Sequence, residues 1–248
     1  MGWRFAPFAL EGGAAKRRGL CAGVVKKRRI KSIKLTDYKA AIFDLDGTLL
    51  DSMPIWESVA ADYLKTRGIT PKANINEELI ALGGHEIPEY FQTEYGLRET
   101  AEAIHRGMYE LLEAFYFYKA PLKNGVAAVL STLRENGVKM CVATATDRWL
   151  VEPALERCGI LEYFARIFTC GEEETSKSSP DIYIRAADFL GAEITDTLVF
   201  EDALYAMKSA KRAGFPVAAV YDRSARDKQD EIKAVSDYYF VSMDEMLG

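Results

Sequence analysis

The sequence contains no run of 18 apolar residues, only two histidines and only four cysteines. A membrane-spanning helix needs about 20 apolar residues, so no membrane span is expected. The cysteines lack the paired spacing of a metal site, and Cys141 and Cys170 lie in apolar runs, which indicates a reducing, cytoplasmic location. With only His85 and His105, a site built on several histidines is not expected, and acid–base chemistry falls mainly to carboxylates and lysines.

Charge is distributed unevenly along the chain. Residues 1–39 contain eleven Lys and Arg against two acids, a net charge of +9, whereas the whole chain carries −5. We interpret residues 1–36 as a basic, disordered leader, or as the result of a start site placed too far upstream, because blocks of like charge are usually solvated tails. The alternative is a protein recruited through this leader to nucleic acid or to an anionic surface.

Strand-like apolar runs alternate with helix-like stretches from Tyr38 onward. The predicted strands cover residues 40–44, 138–144, 166–170, 197–201, 217–221 and 238–241. The predicted helices of this part cover residues 126–136, 148–158, 180–190 and 203–213, and a glycine follows each of them, as is typical of helix C-termini. The alternation predicts an α/β fold: a Rossmann-like parallel sheet core with helices on both faces.

Residues 54–119 interrupt this alternation. No convincing strand occurs there, and apolar residues recur at three- and four-residue steps, as on one face of a helix: Ala101, Ile104, Met108, Leu111 and Phe115. We predict an inserted helical-bundle cap domain at residues 54–119. The core then consists of residues 37–53 and 120–248.

The segment Asp44-Leu45-Asp46-Gly47-Thr48 follows the first predicted strand. Residues two apart in a strand point to the same face, and a turn at Gly47 lets the second carboxylate swing over the first. One carboxylate can then attack a phosphorus atom while the other moves a proton. Ligands of parallel sheets bind at the carboxyl ends of the strands, which is where this segment lies.

Three further polar groups follow other predicted strands. They are the hydroxyl of Thr144, the lysine Lys177 before a helix that begins with proline, and the adjacent acids Glu201 and Asp202. Each alone has an ordinary explanation, as a turn residue, a surface charge or a helix N-terminal acid. Packing does not explain all of them in this order, each after its own strand.

With these four clusters, the chain resembles the haloacid dehalogenase (HAD) superfamily, in the branch with a helical cap after the first strand. That branch includes phosphoglycolate-phosphatase-like and β-phosphoglucomutase-like enzymes. The resemblance implies that Asp44 is the nucleophile and forms an aspartyl-phosphate, and that Asp46 is the general acid/base. A carboxylate two residues after the nucleophile accompanies phosphoryl transfer in this superfamily, rather than dehalogenation.

The resemblance also implies a phosphate site and a metal site. The hydroxyl of Thr144 and the neighbouring N–H of Ala145 hold the phosphoryl oxygens, and Lys177 offsets their charge. The implied cofactor is Mg²⁺, and the implied metal residues are Asp44, Asp46, Glu201 and Asp202. Asp44, Asp202 and the main-chain carbonyl of Asp46 hold the ion, and Glu201 lies beside Asp202 or in the outer shell of the ion.

We therefore predict a Mg²⁺-dependent phosphatase that acts on a small phosphorylated metabolite, a sugar or polyol phosphate. The alternative is a phosphosugar mutase of the β-phosphoglucomutase type, although the cap shows no clear acid–base pair of the mutase kind. The small phosphorylated metabolite is the predicted binding partner. We expect a monomer without a membrane partner, and the basic leader is the only hint of nucleic acid.

Substrate selection is expected from the cap. Residues 82–86, with Gly83, Gly84 and His85, are the candidate specificity loop, although Gly83-Gly84 is equally typical of a plain turn. Arg148 either binds a substrate anion or lies on the solvated first turn of a helix, and we favour the second. The aromatic residues 115–118 are interpreted as cap and hinge packing.

Overall fold

The structure, a computed structural model, describes residues 34–80, 82 and 85–247. The predicted basic leader therefore lies almost entirely outside the described residues, and so do Gly83 and Gly84 of the candidate specificity loop. Within the described part of the chain, no helix is both long enough and apolar enough to cross a membrane.

The core is a parallel sheet of six strands in the order β3-β2-β1-β4-β5-β6. Their bounds are β1 Ala40–Phe43, β2 Lys139–Thr144, β3 Ile167–Thr169, β4 Thr197–Glu201, β5 Val217–Val220 and β6 Tyr238–Phe240. The chain runs outward from β1 to β3 and then returns to β4 on the other side of β1. All six predicted strands are found, and the α/β fold prediction is confirmed.

The helices follow the predicted pattern. Four lie within the insertion after β1, at α1 Met53–Thr66, α2 Ile75–Ile80, α3 Ile87–Tyr95 and α4 Ala101–Tyr118. The others are α5 Val126–Glu135, α6 Arg148–Arg157, α7 Asp181–Leu190, α8 Leu204–Ala213 and α9 Gln229–Val235. Short 3₁₀ helices cover Leu35–Asp37, Leu161–Tyr163, Ile194–Asp196, Arg223–Lys228 and Met243–Leu247.

Alternating side chains of the buried strands form two cores, one on each face of the sheet. On one face, Ala41 and Phe43 of β1 belong to a cluster with apolar residues of α5, α6 and the cap. Phe43 stacks there on Phe200 of β4, with ring centroids 4.2 Å apart. On the other face, Ala40 and Ile42 pack with residues of α7, α8 and α9.

Helices α1–α4 form the inserted bundle after β1. Tyr63 of α1 stacks on Phe91 of α3, with ring centroids 5.9 Å apart. Helix α4 also packs on α6 of the core, where Tyr109 and Phe117 contact the ring of Trp149. A helical cap over the sheet is therefore present, and its limits at residues 54 and 119 remain our proposal.

Candidate active site

The loop after β1 places two carboxylates at the carboxyl edge of the sheet. The N–H of Asp44 donates to the carbonyl of Phe200, so Asp44 continues the ladder between β1 and β4. The chain then turns tightly, because the N–H groups of Leu49 and Leu50 both donate to the carbonyl of Leu45 at 2.9 Å. Asp46 lies inside this turn.

Gly47 allows the turn to approach the fourth cluster. Its φ is +81°, in the region that favours glycine, and a Cβ there would lie 2.4 Å from Oδ2 of Asp202. The turn after β1 is therefore in direct contact with the acid after β4. Only a residue without a side chain permits that contact.

Three carboxylates meet at this edge. Ligand atoms of Asp44, Glu201 and Asp202 all lie within 4.8 Å of one another, and each side chain is buried. The ammonium of Lys177, also buried, contacts the carboxylate of Asp44 and lies 2.6 Å from Oε1 of Glu201. The cluster thus contains three potential negative charges and one positive charge, which lies against Asp44 and Glu201.

Burial and mutual repulsion affect the protonation of this cluster. Burial, and then the charge of Glu201, raise the pKa of Asp44 to about 7 despite Lys177 nearby. Burial, Asp44 and Glu201 raise the pKa of Asp202 well above its ordinary value. Burial alone would lower the pKa of Lys177, but Asp44 and Glu201 outweigh it and keep the ammonium charged. A bound divalent cation would relieve the excess negative charge.

The oxygens of Glu201 are largely used by protein donors. Oε1 accepts from Lys177 and from the hydroxyl of Tyr183 at 2.8 Å. Oε2 accepts from the main-chain N–H groups of Asp202 and Ala203, both at 3.2 Å. This arrangement fixes Glu201 and favours Asp44 and Asp202 as the direct ligands of a cation.

The carboxylate of Asp46 lies apart from this group and accepts hydrogen bonds from three hydroxyls. Oδ1 accepts from Ser52 at 2.6 Å and from Tyr116, and Oδ2 accepts from Thr146 at 2.6 Å. The contact between the main-chain carbonyl of Asp46 and a metal ion stays a prediction.

The end of β2 lies beside this loop, because β1 and β2 are adjacent and parallel. The hydroxyl of Thr144 accepts from the N–H of Thr146 at 3.0 Å and is fully buried. Ala145 lies between Thr144 and Thr146. The two residues predicted to bind phosphate, Thr144 and Ala145, are therefore next to Thr146, whose hydroxyl donates to Asp46. Their phosphate-binding roles remain predictions.

Sequence reasoning misses several residues around this site. The sequence indicates packing for Tyr116, and its buried ring does pack, but its hydroxyl also reaches Asp46. Lys123 donates to the carbonyls of Gly47 and Tyr221, both at 2.7 Å, and to Asp222 at 2.8 Å. No local pattern distinguishes such residues, because their partners lie 70 or more positions away in the chain.

The other candidates from the sequence lie elsewhere. Arg148 begins α6, where it pairs with Glu172 at 2.7 Å and Glu152 at 3.0 Å and donates to a main-chain carbonyl. It is therefore an ion-paired residue of the first turn, in agreement with the interpretation that we favour. His85 is exposed.

Comparison with known proteins agrees with this geometry. The family model described as haloacid dehalogenase-like hydrolase matches residues 38–214. The N-acetylmuramic acid 6-phosphate phosphatase of Pseudomonas aeruginosa is 26% identical over 186 residues, which cover 73% of this chain and 81% of that protein. The fructose-1-phosphate phosphatase YqaB of Escherichia coli is 25% identical over 195 residues, which cover 74% of this chain and 96% of that protein.

A solved structure has the same fold. The crystal structure of β-phosphoglucomutase from Clostridium difficile matches with a TM-score of 0.63 at 19% identity, over 84% of this chain and 92% of that one. The predicted fold and the predicted enzyme class, a phosphatase, are confirmed. Since the family model matches more than half of this chain, the chain belongs to the haloacid dehalogenase-like hydrolase family.

Proposed function

We propose that the protein is a Mg²⁺-dependent phosphatase that hydrolyses a sugar or polyol phosphate through a phosphoryl group carried on Asp44. The observation that supports this most strongly is the buried cluster of Asp44, Glu201 and Asp202, in which Lys177 contacts Asp44 and Glu201. A nucleophilic carboxylate, a balancing cation and a candidate metal site occur together in it. The substrate class is supported by two relatives whose names specify sugar phosphates.

The side chains of the cluster suit magnesium. Its donors are carboxylate oxygens, which Mg²⁺ prefers, and their charge is only partly balanced by Lys177. Asp44 and Asp202 would hold the ion, with the carbonyl of Asp46, and Glu201 would support them from outside. When bound, Mg²⁺ would reduce the repulsion between the carboxylate of Asp44 and the phosphate dianion.

The proposed reaction has two steps, each carried by residues of this site. A carboxylate oxygen of Asp44 bonds to phosphorus while the ester P–O bond breaks, and protonated Asp46 gives its proton to the leaving oxygen. Asp46, now ionised, then takes a proton from water, whose oxygen attacks phosphorus and frees Asp44 and inorganic phosphate. Lys177, the hydroxyl of Thr144 and the N–H of Ala145 stabilise the charge on the phosphoryl oxygens.

We further propose that the cap at residues 54–119 selects the organic part of the substrate and limits access of water. The hydrogen bond from Tyr116 of α4 to the buried carboxylate of Asp46 supports this, because it places the cap against the loop that carries the proposed acid/base.

A substrate panel tests the function directly. We expect phosphate release from hexose or polyol phosphates, loss of release with EDTA and recovery on adding Mg²⁺, measured as inorganic phosphate. Phosphoglycolate and nucleoside monophosphates complete the panel. Absence of release from every substrate with Mg²⁺ present would contradict the proposal. Isomerisation of β-glucose 1-phosphate with a bisphosphate activator, without free phosphate, would instead favour the mutase.

Replacing Gly47 with Ala tests the contact between the turn and Asp202. We expect phosphate release to fall by about 10²-fold, because misplacing a site group by about 1 Å has effects of that size. The new Cβ would displace Oδ2 of Asp202, which is 2.4 Å away. Steady-state phosphate release at saturating Mg²⁺ measures this.

Gly137→Ala is the matched control. Gly137 also has a positive φ, +73°, but a Cβ there has no neighbour within 4 Å. Gly137→Ala should be destabilised by about 1–2 kcal/mol, the cost of left-handed backbone for a residue with a side chain, and Gly47→Ala by at least as much, because its Cβ also displaces Asp202. Equal activity of the two variants would show that the Gly47–Asp202 contact is unimportant.

A further inference from the structure

The cap supplies a hydrogen bond to the proposed acid/base. Tyr116, in α4, is fully buried, and its hydroxyl donates to Oδ1 of Asp46 in the core. The indole N–H of Trp56, in α1, donates to the same hydroxyl at 2.8 Å. Two different cap helices are thus connected to one carboxylate at the edge of the sheet.

The direction of these hydrogen bonds follows from the chemistry of the groups. An indole N–H can only donate, and a phenol is protonated at neutral pH and has one hydrogen to give. Because Trp56 donates to the oxygen of Tyr116, the phenol hydrogen is left for Asp46. Trp56 therefore orients the hydroxyl, and the edge-to-face packing of the two rings, with centroids 6.4 Å apart, holds them in that relation.

The remaining donors to Asp46 come from other parts of the fold. Ser52 immediately precedes the first cap helix, and Thr146 follows β2. They contact different oxygens of the carboxylate, each at 2.6 Å. Tyr116 is thus a donor from the end of the last cap helix, and its removal would leave Oδ1 with the Ser52 contact.

We propose that Tyr116, oriented by Trp56, is a positioning residue that the cap provides for proton transfer by Asp46. The inference rests on the proposed function, in which Asp46 protonates the leaving oxygen. It goes further by making that step depend on the packing of α1 and α4 against the core. A correctly placed general acid contributes about 10²–10⁴-fold to a rate, so a loosely held one should lose a measurable part of this.

The choice of leaving group separates positioning from general damage. A hexose phosphate releases an alkoxide and needs the proton from Asp46, whereas p-nitrophenyl phosphate releases a stable anion and does not. The ratio kcat/KM includes the steps up to departure of the leaving group, so it reports the first chemical step. A positioning defect should therefore lower kcat/KM for the alkyl ester and spare the aryl ester.

Tyr116→Phe removes the hydroxyl and keeps the ring. We expect kcat/KM for the hexose phosphate that the wild type hydrolyses best to fall about 10–100-fold, and that for p-nitrophenyl phosphate to change less than about 3-fold. Trp56→Phe keeps the hydroxyl but removes the group that orients it. It should show the same substrate dependence with a smaller loss.

Tyr63→Phe is the matched control. Tyr63 is also a fully buried cap tyrosine whose hydroxyl donates to a carboxylate, that of Glu99 at 2.9 Å. Removal of this hydroxyl should leave kcat/KM for both esters unchanged. Thermal unfolding of the Tyr63 and Tyr116 variants measures their stability.

The possible results are distinguishable. Equal losses on both esters, or activity of Tyr116→Phe equal to that of Tyr63→Phe, would overturn the inference while the wild-type activity upholds the proposed function. Failure of the wild type to release phosphate from p-nitrophenyl phosphate and from every substrate of the panel would overturn both. If Tyr116→Phe does not fold, Trp56→Phe decides, and the absence of a selective loss on the hexose phosphate overturns the inference.

Discussion

Asp44→Asn is expected to lower phosphate release by at least about 10⁴-fold on every substrate, as loss of a catalytic nucleophile does in other enzymes. The amide has no anionic oxygen to attack phosphorus, and Lys177 loses one of its two carboxylate contacts. The readout is inorganic phosphate over long incubations at saturating Mg²⁺.

Although Asp44→Asn should lose activity, we expect its folded state to be more stable than that of the wild type. In the unfolded chain Asp44 ionises at its ordinary pKa of 3.8, whereas burial and Glu201 raise its pKa to about 7 in the folded protein. The folded state therefore binds more protons, and the wild type loses stability as the pH rises through that window. The amide that replaces the carboxyl group does not titrate, so in EDTA the variant should gain stability over the wild type between about pH 4 and pH 7.

Asp188→Asn is the control for Asp44→Asn. Asp188 is an exposed carboxylate of α7, so the same substitution there should change neither activity nor stability by much. Turnover by Asp44→Asn above about 1% of the wild-type rate would contradict the role of Asp44 as nucleophile.

Lys177→Met is expected to destabilise the metal-free protein by about 3–5 kcal/mol at pH 8, the usual effect of removing one partner of a buried ion pair. Methionine fills much of the same volume, but Asp44 and Glu201 lose their shared cation while remaining buried. Phosphate release should also fall, by about 10²–10³-fold, because a charge that stabilises the phosphoryl oxygens is absent. Denaturant unfolding in EDTA measures the first effect.

The pH dependence of this destabilisation follows from the carboxylates left behind. Burial already raises the pKa of Asp44, and loss of Lys177, which lowers it, will raise it further. At pH 5 the cluster can neutralise itself by binding protons, so the loss of stability should be smaller there than at pH 8. Equal losses at the two pH values would contradict this account.

Lys208→Met provides the comparison for Lys177→Met. Lys208 pairs with Glu231 at 3.1 Å, but both side chains are largely exposed. Such surface pairs contribute about 0–1 kcal/mol, so this variant should unfold almost like the wild type at either pH.

Much of the fold could be predicted because its signals are local. The apolar runs and the glycines after the helices mark the strands and helices one by one, and a parallel arrangement follows from their alternation. The convergence of Asp44, Thr144, Lys177 and Asp202 was also predictable, since residues after parallel strands meet at one edge of the sheet.

The interactions of the side chains were not predictable in the same way. The run at residues 115–118 indicated packing, and nothing near Tyr116 signals that its hydroxyl meets Asp46, 70 positions earlier. The same holds for Lys123, whose three acceptors lie in two distant loops.

By itself, the sequence determined which chemical groups stand at the carboxyl edge of the sheet, because strand period and turn chemistry are properties of neighbouring residues. Only the tertiary structure decided which donors hold them: that Glu201 is surrounded by Lys177, Tyr183 and main-chain N–H groups, and that a cap tyrosine completes the contacts of Asp46. These contacts depend on how helices pack across the sheet, and that packing depends on the shape of the whole core.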